Sequence, residues 1–207
     1  MDPKAEMILE IKRKYGLDSP RVFSAMLQVP REEFVGHKDK DIAYSDSAIS
    51  IGFGQTISQP YTVAFMTHLL NLMGNEMVLE IGTGSGYQAA VLSILADRVF
   101  SVEIIPQLAQ IAKKRLKKLG FKNIEVKAGQ GEVAWKDKAP YDAIIVTAGV
   151  ENGITDVLLK QLKKDGIMVA PVGKGPDKIM TKFVKKKGKV EKKEFGVFHF
   201  VPFVESN

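Results

Sequence analysis

Val78-Leu79-Glu80-Ile81 runs straight into Gly82-Thr83-Gly84-Ser85-Gly86, a short apolar strand pattern handing over to a glycine-rich turn. Without β-carbons at Gly82, Gly84 and Gly86 the backbone turns sharply and lets a ligand approach, and a helix start just beyond offers free N–H groups. The stretch reads as a nucleotide-cofactor loop on an α/β sheet. Alone, it says only that a ribose or phosphate compound binds, and a dinucleotide site or an empty tight turn has similar spacing. Glu103 sharpens this, because it ends the next strand, where an acidic residue grips two ribose hydroxyls. Glu80 is placed either to orient the loop through backbone N–H groups or a bound water, or to serve a structural role. Upstream, Gly54-Gln55-Thr56-Ile57-Ser58-Gln59-Pro60 is a hydroxyl-rich turn positioned to cover the cofactor's reactive end.

The periodicity around these segments predicts a Rossmann-like, doubly wound α/β fold. Residues 3–15 and a segment opened by Ser19-Pro20 read as amphipathic helices, serine serving as N-cap and proline as the first helical residue. Residues 30–54 lose periodicity and read as irregular. Gln59-Pro60 opens a helix to about Met73. Strands over 78–81, 99–103, 124–127, 141–146 and 166–171 then alternate with helices over 86–95, 106–119 and 154–162. Such alternation implies a mostly parallel sheet covered on both faces. The helix over 106–119 is given an inner stripe of Leu108, Ile111, Ala112, Leu116 and Leu119. The tail breaks this alternation. There 178–184 and 190–195 flank a Lys-Lys-Lys-Gly turn, and 197–204 reads as a closing strand, which makes the sheet's last part antiparallel. The expected organisation is a single domain: a covering helical region over 1–75, a cofactor-binding core over 76–175, and the hairpin with its closing strand over 176–207.

Composition excludes several classes. The 207 residues contain no cysteine, which removes disulfides, thiolate metal sites and a thiol nucleophile. His37, His68 and His199 are scattered, so no metal site is expected. The opening residues lack the basic-then-apolar pattern of a secretion signal, and the longest apolar run, around 89–96, is far too short to span a bilayer, so a cytoplasmic protein is expected. The net charge of +6 comes from lysines clustered over 113–118 and 185–193. Arginines and interleaved aromatics are scarce there, so these read as solvated faces and not as a nucleic-acid surface. Trp135 reads as a core plug, and Tyr87 as either a cofactor contact or a packing residue.

Residues 78–90 with Glu103 resemble the class I S-adenosylmethionine-dependent methyltransferases. Within that superfamily, Tyr44-Ser45-Asp46, Ile51-Gly52, the 54–60 turn, the 78–90 stretch, Tyr141-Asp142 with Ile144-Ile145-Val146-Thr147-Ala148, Pro171-Val172-Gly173 and Phe200-Val201-Pro202-Phe203 together are similar to the protein-L-isoaspartate O-methyltransferases. The match runs in order from about Val22 to Phe203. The resemblance implies methyl transfer from S-adenosyl-L-methionine, with S-adenosyl-L-homocysteine as product, to the α-carboxylate of L-isoaspartyl residues in damaged proteins and peptides. The ester then collapses to a succinimide that reopens to aspartate. By the same resemblance Ser58 is the active-site hydroxyl, with a helix N-cap as its ordinary alternative. Gln55, Thr56, Ile57 and Gln59 wrap the cofactor; Gly82, Thr83, Gly84, Ser85 and Gly86 meet its methionine part; Glu80, Glu103, Gln130, Gly131 and Thr147 complete its site. A monomer is expected.

The chain departs from the family pattern in three places. Gly129-Gln130-Gly131 stands where an acid is usual beside the adenine; glutamine still hydrogen-bonds a base edge but carries no charge. Ile49-Ser50-Ile51 replaces Leu-Pro-Ile. Gly149-Val150-Glu151-Asn152-Gly153-Ile154 replaces a loop that commonly holds Ala and Pro, with Asn152-Gly153 read as a turn before a helix. These leave two alternatives standing: a methyltransferase with an RNA or small-molecule acceptor, or a cofactor-binding protein without turnover.

Overall fold

A computed structural model describes residues 2–150, 152–175 and 177–200, with backbone only for 152–155. Two amphipathic helices open it, α1 (Pro3–Tyr15) and α2 (Pro20–Gln28). Asp2 caps α1 by accepting from the Lys4 N–H at 3.0 Å, and Gly16 ends it in the left-handed region at φ 65°. Ser19 does stand before Pro20, yet its hydroxyl makes no cap bond and lies 3.1 Å from His68 Nδ1.

The stretch expected to be irregular is partly ordered. Short 3-10 turns at Arg31–Glu33 and His37–Ile42 lead into an antiparallel hairpin, β1 (Ile49–Gly52) with β2 (Gln55–Ile57). Gly52, Phe53 and Gly54 form its tip, all at positive φ. Helix α3 (Pro60–Leu70) follows, with Pro60 at its start and left-handed Asn71 at its end.

The alternating region builds one sheet: β3 (Met77–Ile81), α4 (Tyr87–Leu95), β4 (Arg98–Glu103), α5 (Pro106–Lys118), β5 (Ile124–Ala128), β6 (Tyr141–Val146), α6 (Asn152–Lys160), β7 (Leu162–Val172), β8 (Asp177–Lys186) and β9 (Lys189–His199). The strand order is β5-β4-β3-β6-β7-β8-β9; the first five are parallel, and β8 and β9 are antiparallel. The fold class expected from the sequence is therefore the one observed. Three details differ. Helix α6 begins at Asn152, so the Asn152-Gly153 pair lies within its first turn. Ile111 is exposed, and Ala109 joins Leu108, Ala112 and Leu116 on the buried stripe of α5. The hairpin does not hand over to a separate strand at 197: β9 continues to His199, with Gly196 bulged between Phe195 and Val197. The rest of that expected closing strand, and its Val201-Pro202-Phe203 motif, lie outside the described residues, as does Glu151.

Side chains of the central strands alternate between two cores, as a pleated strand requires. Val78, Ala143 and Ile145 pack on the side of α1–α4, while Leu79, Ile81, Ile144 and Val146 pack with Leu158, Phe100 and Trp135 on the other. Trp135 is half-buried there, edge-on to Phe100, and donates its indole N–H to the Ser101 carbonyl at 3.0 Å. Among the described residues no helix is long and apolar enough to cross a membrane.

Strand order reverses at β3, which has β4 on one side and β6 on the other. The connections leaving their carboxyl ends diverge there and open a crevice. Ile145 is fully buried on the strand that forms one side of it. Ile145→Ala is expected to cost about 2–5 kcal/mol in chemical denaturation, as truncation of a packed core side chain does; an unchanged midpoint would contradict this packing.

Candidate active site

The glycine turn is held from both flanks. Gly82 and Thr83 donate their N–H groups to the Val102 carbonyl at 2.8 and 3.2 Å, which welds the turn to the end of β4. Gly82, Gly84 and Gly86 all have positive φ, at 97°, 51° and 90°. At Gly82 space matters as much as torsion: a β-carbon would lie 2.3 Å from Thr147 Oγ1. That hydroxyl, on the first residue after β6, sits 3.0 Å from the Ile81 carbonyl and 2.6 Å from the Gly82 carbonyl. The loops after the two central strands thus meet in direct contact.

Glu103 closes the turn from the β4 side. One carboxylate oxygen accepts the Gly84 N–H at 2.8 Å and the other the Ile105 N–H at 3.0 Å. A carboxylate has about four acceptor sites, so lone pairs stay available for a diol. On the far side, Arg115 of α5 donates to the Ser85 carbonyl at 2.7 Å.

Glu80 lies beneath the turn, not on its surface. It is completely buried, and Ser101 donates its hydroxyl to Oε2, while Oε1 has no partner among the described residues. Thr83 Oγ1 lies 2.5 Å from Ser101 Oγ, so Glu80 reaches the loop through two hydroxyls and not through backbone N–H groups. Burial pushes its carboxyl up to about 8; the Ser101 bond opposes the rise and the neighbouring Glu103 charge adds to it.

Above the turn is a cleft of about 810 Å³, mouth included, within the common range of about 300–1,000 Å³ for small-molecule sites. It brings together Gln55, Thr56, Ile57 and Ser58 from one side, Gly82, Thr83, Gly84 and Ser85 from below, and Glu103, Gly131 and Thr147 around the rim. Four of the expected residues do not line it. Gly86 packs toward Leu116 and Ala112 of α5, Glu80 is underneath, Gln130 is exposed between two lining glycines, and Gln59 faces the neighbouring groove. Tyr87 does line the cleft and is also fully buried, so contact and packing coincide. Sequence reasoning missed Val63, Ile81, Gln88, Val102, Ile104, Gly129 and Ala148. Ile104 adjoins Glu103, and Val63 lies one turn into α3, so strand-end and helical spacing carried a signal for both.

A second, open groove of about 1,250 Å³ adjoins the cleft and shares Thr56, Ser58 and Thr147 with it. Its wall is aromatic: Tyr15 and Tyr61 stack at 3.6 Å, and Phe198 stacks on Tyr61 at 6.0 Å. Asp46 anchors that wall, accepting from Tyr15 OH at 2.6 Å, Gln59 Nε2 at 2.9 Å and the Tyr61 N–H at 3.1 Å. Ser58 is half-buried at the junction. It is not a cap for α3, whose N-cap position is Gln59, and its hydroxyl has no partner among the described residues.

The chain's relatives agree on one family. The family profile of protein-L-isoaspartate(D-aspartate) O-methyltransferases matches residues 3–207. A protein-L-isoaspartate O-methyltransferase of Dictyoglomus turgidum is 46% identical over 199 residues, covering 96% of this chain and 90% of that one. Another, from Syntrophobacter fumaroxidans, is 54% identical over 158 residues, covering 76% and 73%. A solved protein-L-isoaspartate O-methyltransferase superposes with a TM-score of 0.87 at 29% identity over 98% of this chain, which spans 66% of that longer one. A Plasmodium falciparum structure in complex with S-adenosyl-L-homocysteine has the same fold, with a TM-score of 0.83 at 23% identity over 95% and 96% of the two chains.

Two outcomes test this geometry. Gly82→Ala is expected to weaken S-adenosyl-L-homocysteine binding in calorimetry roughly 5- to 150-fold, the equivalent of about 1–3 kcal/mol of backbone strain; unchanged affinity would contradict the Thr147 contact. The raised Glu80 carboxyl makes the fold hold a proton that the unfolded chain releases at lower pH. Its stabilising contribution is therefore complete in acid and is lost as pH rises toward about 8. The melting temperature of the wild type should fall relative to Glu80→Gln over that rise, and parallel profiles would show that Glu80 ionises normally.

Proposed function

The chain belongs to the protein-L-isoaspartate O-methyltransferase family, and on that premise we propose that it methylates the α-carboxylate of L-isoaspartyl residues in damaged proteins and peptides, using S-adenosylmethionine. The observation that carries this reading is Ser58, whose hydroxyl has no partner among the described residues and stands at the junction between the cleft and the groove. The cleft suits the cofactor and the groove suits an extended peptide.

The residues of the cleft fit S-adenosylmethionine. Glu103 offers acceptors to the ribose hydroxyls, the Gly82–Ser85 turn takes the methionine part, and Ile104 and the glycines around Gln130 border the adenine. The cofactor supplies an electrophilic methyl group on a sulfonium. With it bound, a substrate carboxylate oxygen would accept that methyl group, the S–CH₃ electron pair staying on sulfur. No proton moves. The acceptor is already ionised at neutral pH, so the site has no need of a strong general base.

The protein's own work is therefore to hold and to exclude. Ser58 donates its hydroxyl to the acceptor carboxylate, and Thr56 and Thr147 flank the path between the two compartments. Alignment of well-oriented reactants supplies up to about 7–11 kcal/mol of barrier reduction. Apolar walls from Ile57, Val63 and Tyr61 limit water around charges that neutralise each other during transfer.

Protein, and not nucleic acid, is the macromolecular partner in this reading. The lysines of the β8–β9 turn are largely engaged within the chain: Lys186 pairs with Asp165 at 2.9 Å, Lys189 with Glu191 at 2.8 Å and Lys192 with Glu194 at 2.7 Å, while Lys185 donates to the Leu162 carbonyl at 2.6 Å. The cysteine-free composition fits action in the cytoplasm.

Ser58→Ala is expected to retain cofactor affinity and to lower kcat/KM for an isoaspartyl peptide by roughly 10- to 100-fold, the range for a hydrogen bond to a charged group. Unchanged turnover would remove Ser58 from the mechanism.

A further inference from the structure

Arg31 has the largest side chain among the fully buried residues, and no acidic residue pairs with it among the described residues. A guanidinium so placed is costly unless the structure uses its charge. Its contacts are few and directed. Nε donates to the Ala43 carbonyl at 2.7 Å and Nη2 to the Ser58 carbonyl at 2.8 Å, and the guanidinium lies over the Tyr87 ring at 4.7 Å. Nη1 has no hydrogen-bond partner among the described residues, nor has the buried Tyr87 hydroxyl. In the sequence Arg31 falls within the stretch read as irregular; in the fold it lies directly behind Ser58.

The Ser58–Gln59 peptide is trans, so its N–H points opposite to its C=O. Arg31 pins the C=O inward, which turns the Gln59 N–H away from the guanidinium. That N–H has no acceptor among the described residues, and both Ser58 and Gln59 line the groove. Cation, carbonyl, amide and groove are thus in series, and a charge at one end polarises the peptide toward an anion at the other.

We infer that Arg31 is a positioning residue of the methyl-transfer site: it locks the Ser58–Gln59 peptide so that the Ser58 hydroxyl and the Gln59 N–H together present a polarised two-donor seat for the acceptor carboxylate. The inference rests on the proposed isoaspartyl activity and adds to it a second donor and a buried charge behind the seat. Arg31 itself lines neither the cleft nor the groove; it reaches them through the face of Tyr87, which lines the cleft, and through the Ser58 carbonyl, and its one polar link to the groove is the Ser58–Gln59 peptide.

The test compares wild type, Arg31→Met, Arg31→Lys and Arg31→Gln, with S-adenosyl-L-homocysteine affinity by calorimetry and KM and kcat on a synthetic isoaspartyl peptide. Arg31→Met should bind S-adenosyl-L-homocysteine within about twofold of wild type while KM for the peptide rises roughly tenfold or more, the loss of a charge-assisted contact. Arg31→Lys, which keeps the charge, should recover part of that rise. If Arg31→Met does not fold, Arg31→Gln keeps an amide donor for the carbonyl without the charge and should still raise KM. A folded neutral variant with unchanged peptide KM, or one that loses cofactor affinity in the same proportion, would overturn the inference. If the wild type itself fails to label the isoaspartyl peptide, the proposed activity falls first and takes this inference with it.

Discussion

The close contact between Gly82 and Thr147 is the constraint on which the site depends. It joins the loops that leave the two central strands, β3 and β6, at the point where the order of the sheet reverses. Only a residue without a β-carbon fits against the Thr147 hydroxyl at that φ, and that hydroxyl in turn is held against the carbonyls of Ile81 and Gly82. Fixing these two loops fixes the floor and one rim of the cleft. Glu103, tied to the Gly84 and Ile105 N–H groups, sets the opposite rim. Three strand ends therefore define one cavity through short polar contacts, and the apolar cores on both faces of the sheet hold the strands in register.

The second half of the site comes from the chain before the sheet. The β1–β2 hairpin carries Gln55, Thr56 and Ile57 over the cleft, and the next residue, Ser58, lies where cleft and groove meet. Its position is set from behind by Arg31 and from the side by Asp46, which gathers Tyr15, Gln59 and the start of α3 into one hydrogen-bonded group. The N-terminal helices thus do more than cover the sheet. The connections between them carry Arg31 and Asp46, which hold Ser58 and Gln59 at the junction of cleft and groove.

Much of this was readable from residue order alone, for identifiable reasons. Strands and helices alternating over 78–172 announce a parallel sheet, and the glycine turn and Glu103 mark its ligand edge because their roles depend on position along the chain. The β1–β2 hairpin escaped notice because its strands are only four and three residues long and its tip needs three consecutive positive φ angles. The unbroken β9 escaped because Gly196 reads as a stop, whereas here it bulges within a continuing strand. The position of Glu80 differed for a tertiary reason: the strand's alternation puts it under the loop, where Ser101 rather than backbone is within reach. Asp46 was readable as part of a motif but not as an anchor, and Arg31 not at all, since burial of a charge depends on what closes over it.

The most direct measurement of the central claim is methyl transfer from labelled S-adenosylmethionine to a synthetic isoaspartyl peptide, with the aspartyl peptide of the same sequence as control. The two peptides differ only in which carboxylate is free and where the backbone runs, so selectivity between them reads the seat at Ser58 directly. Labelling confined to the isoaspartyl peptide is the predicted result. Binding of S-adenosylmethionine with no labelling of either peptide, or equal labelling of both, would contradict it.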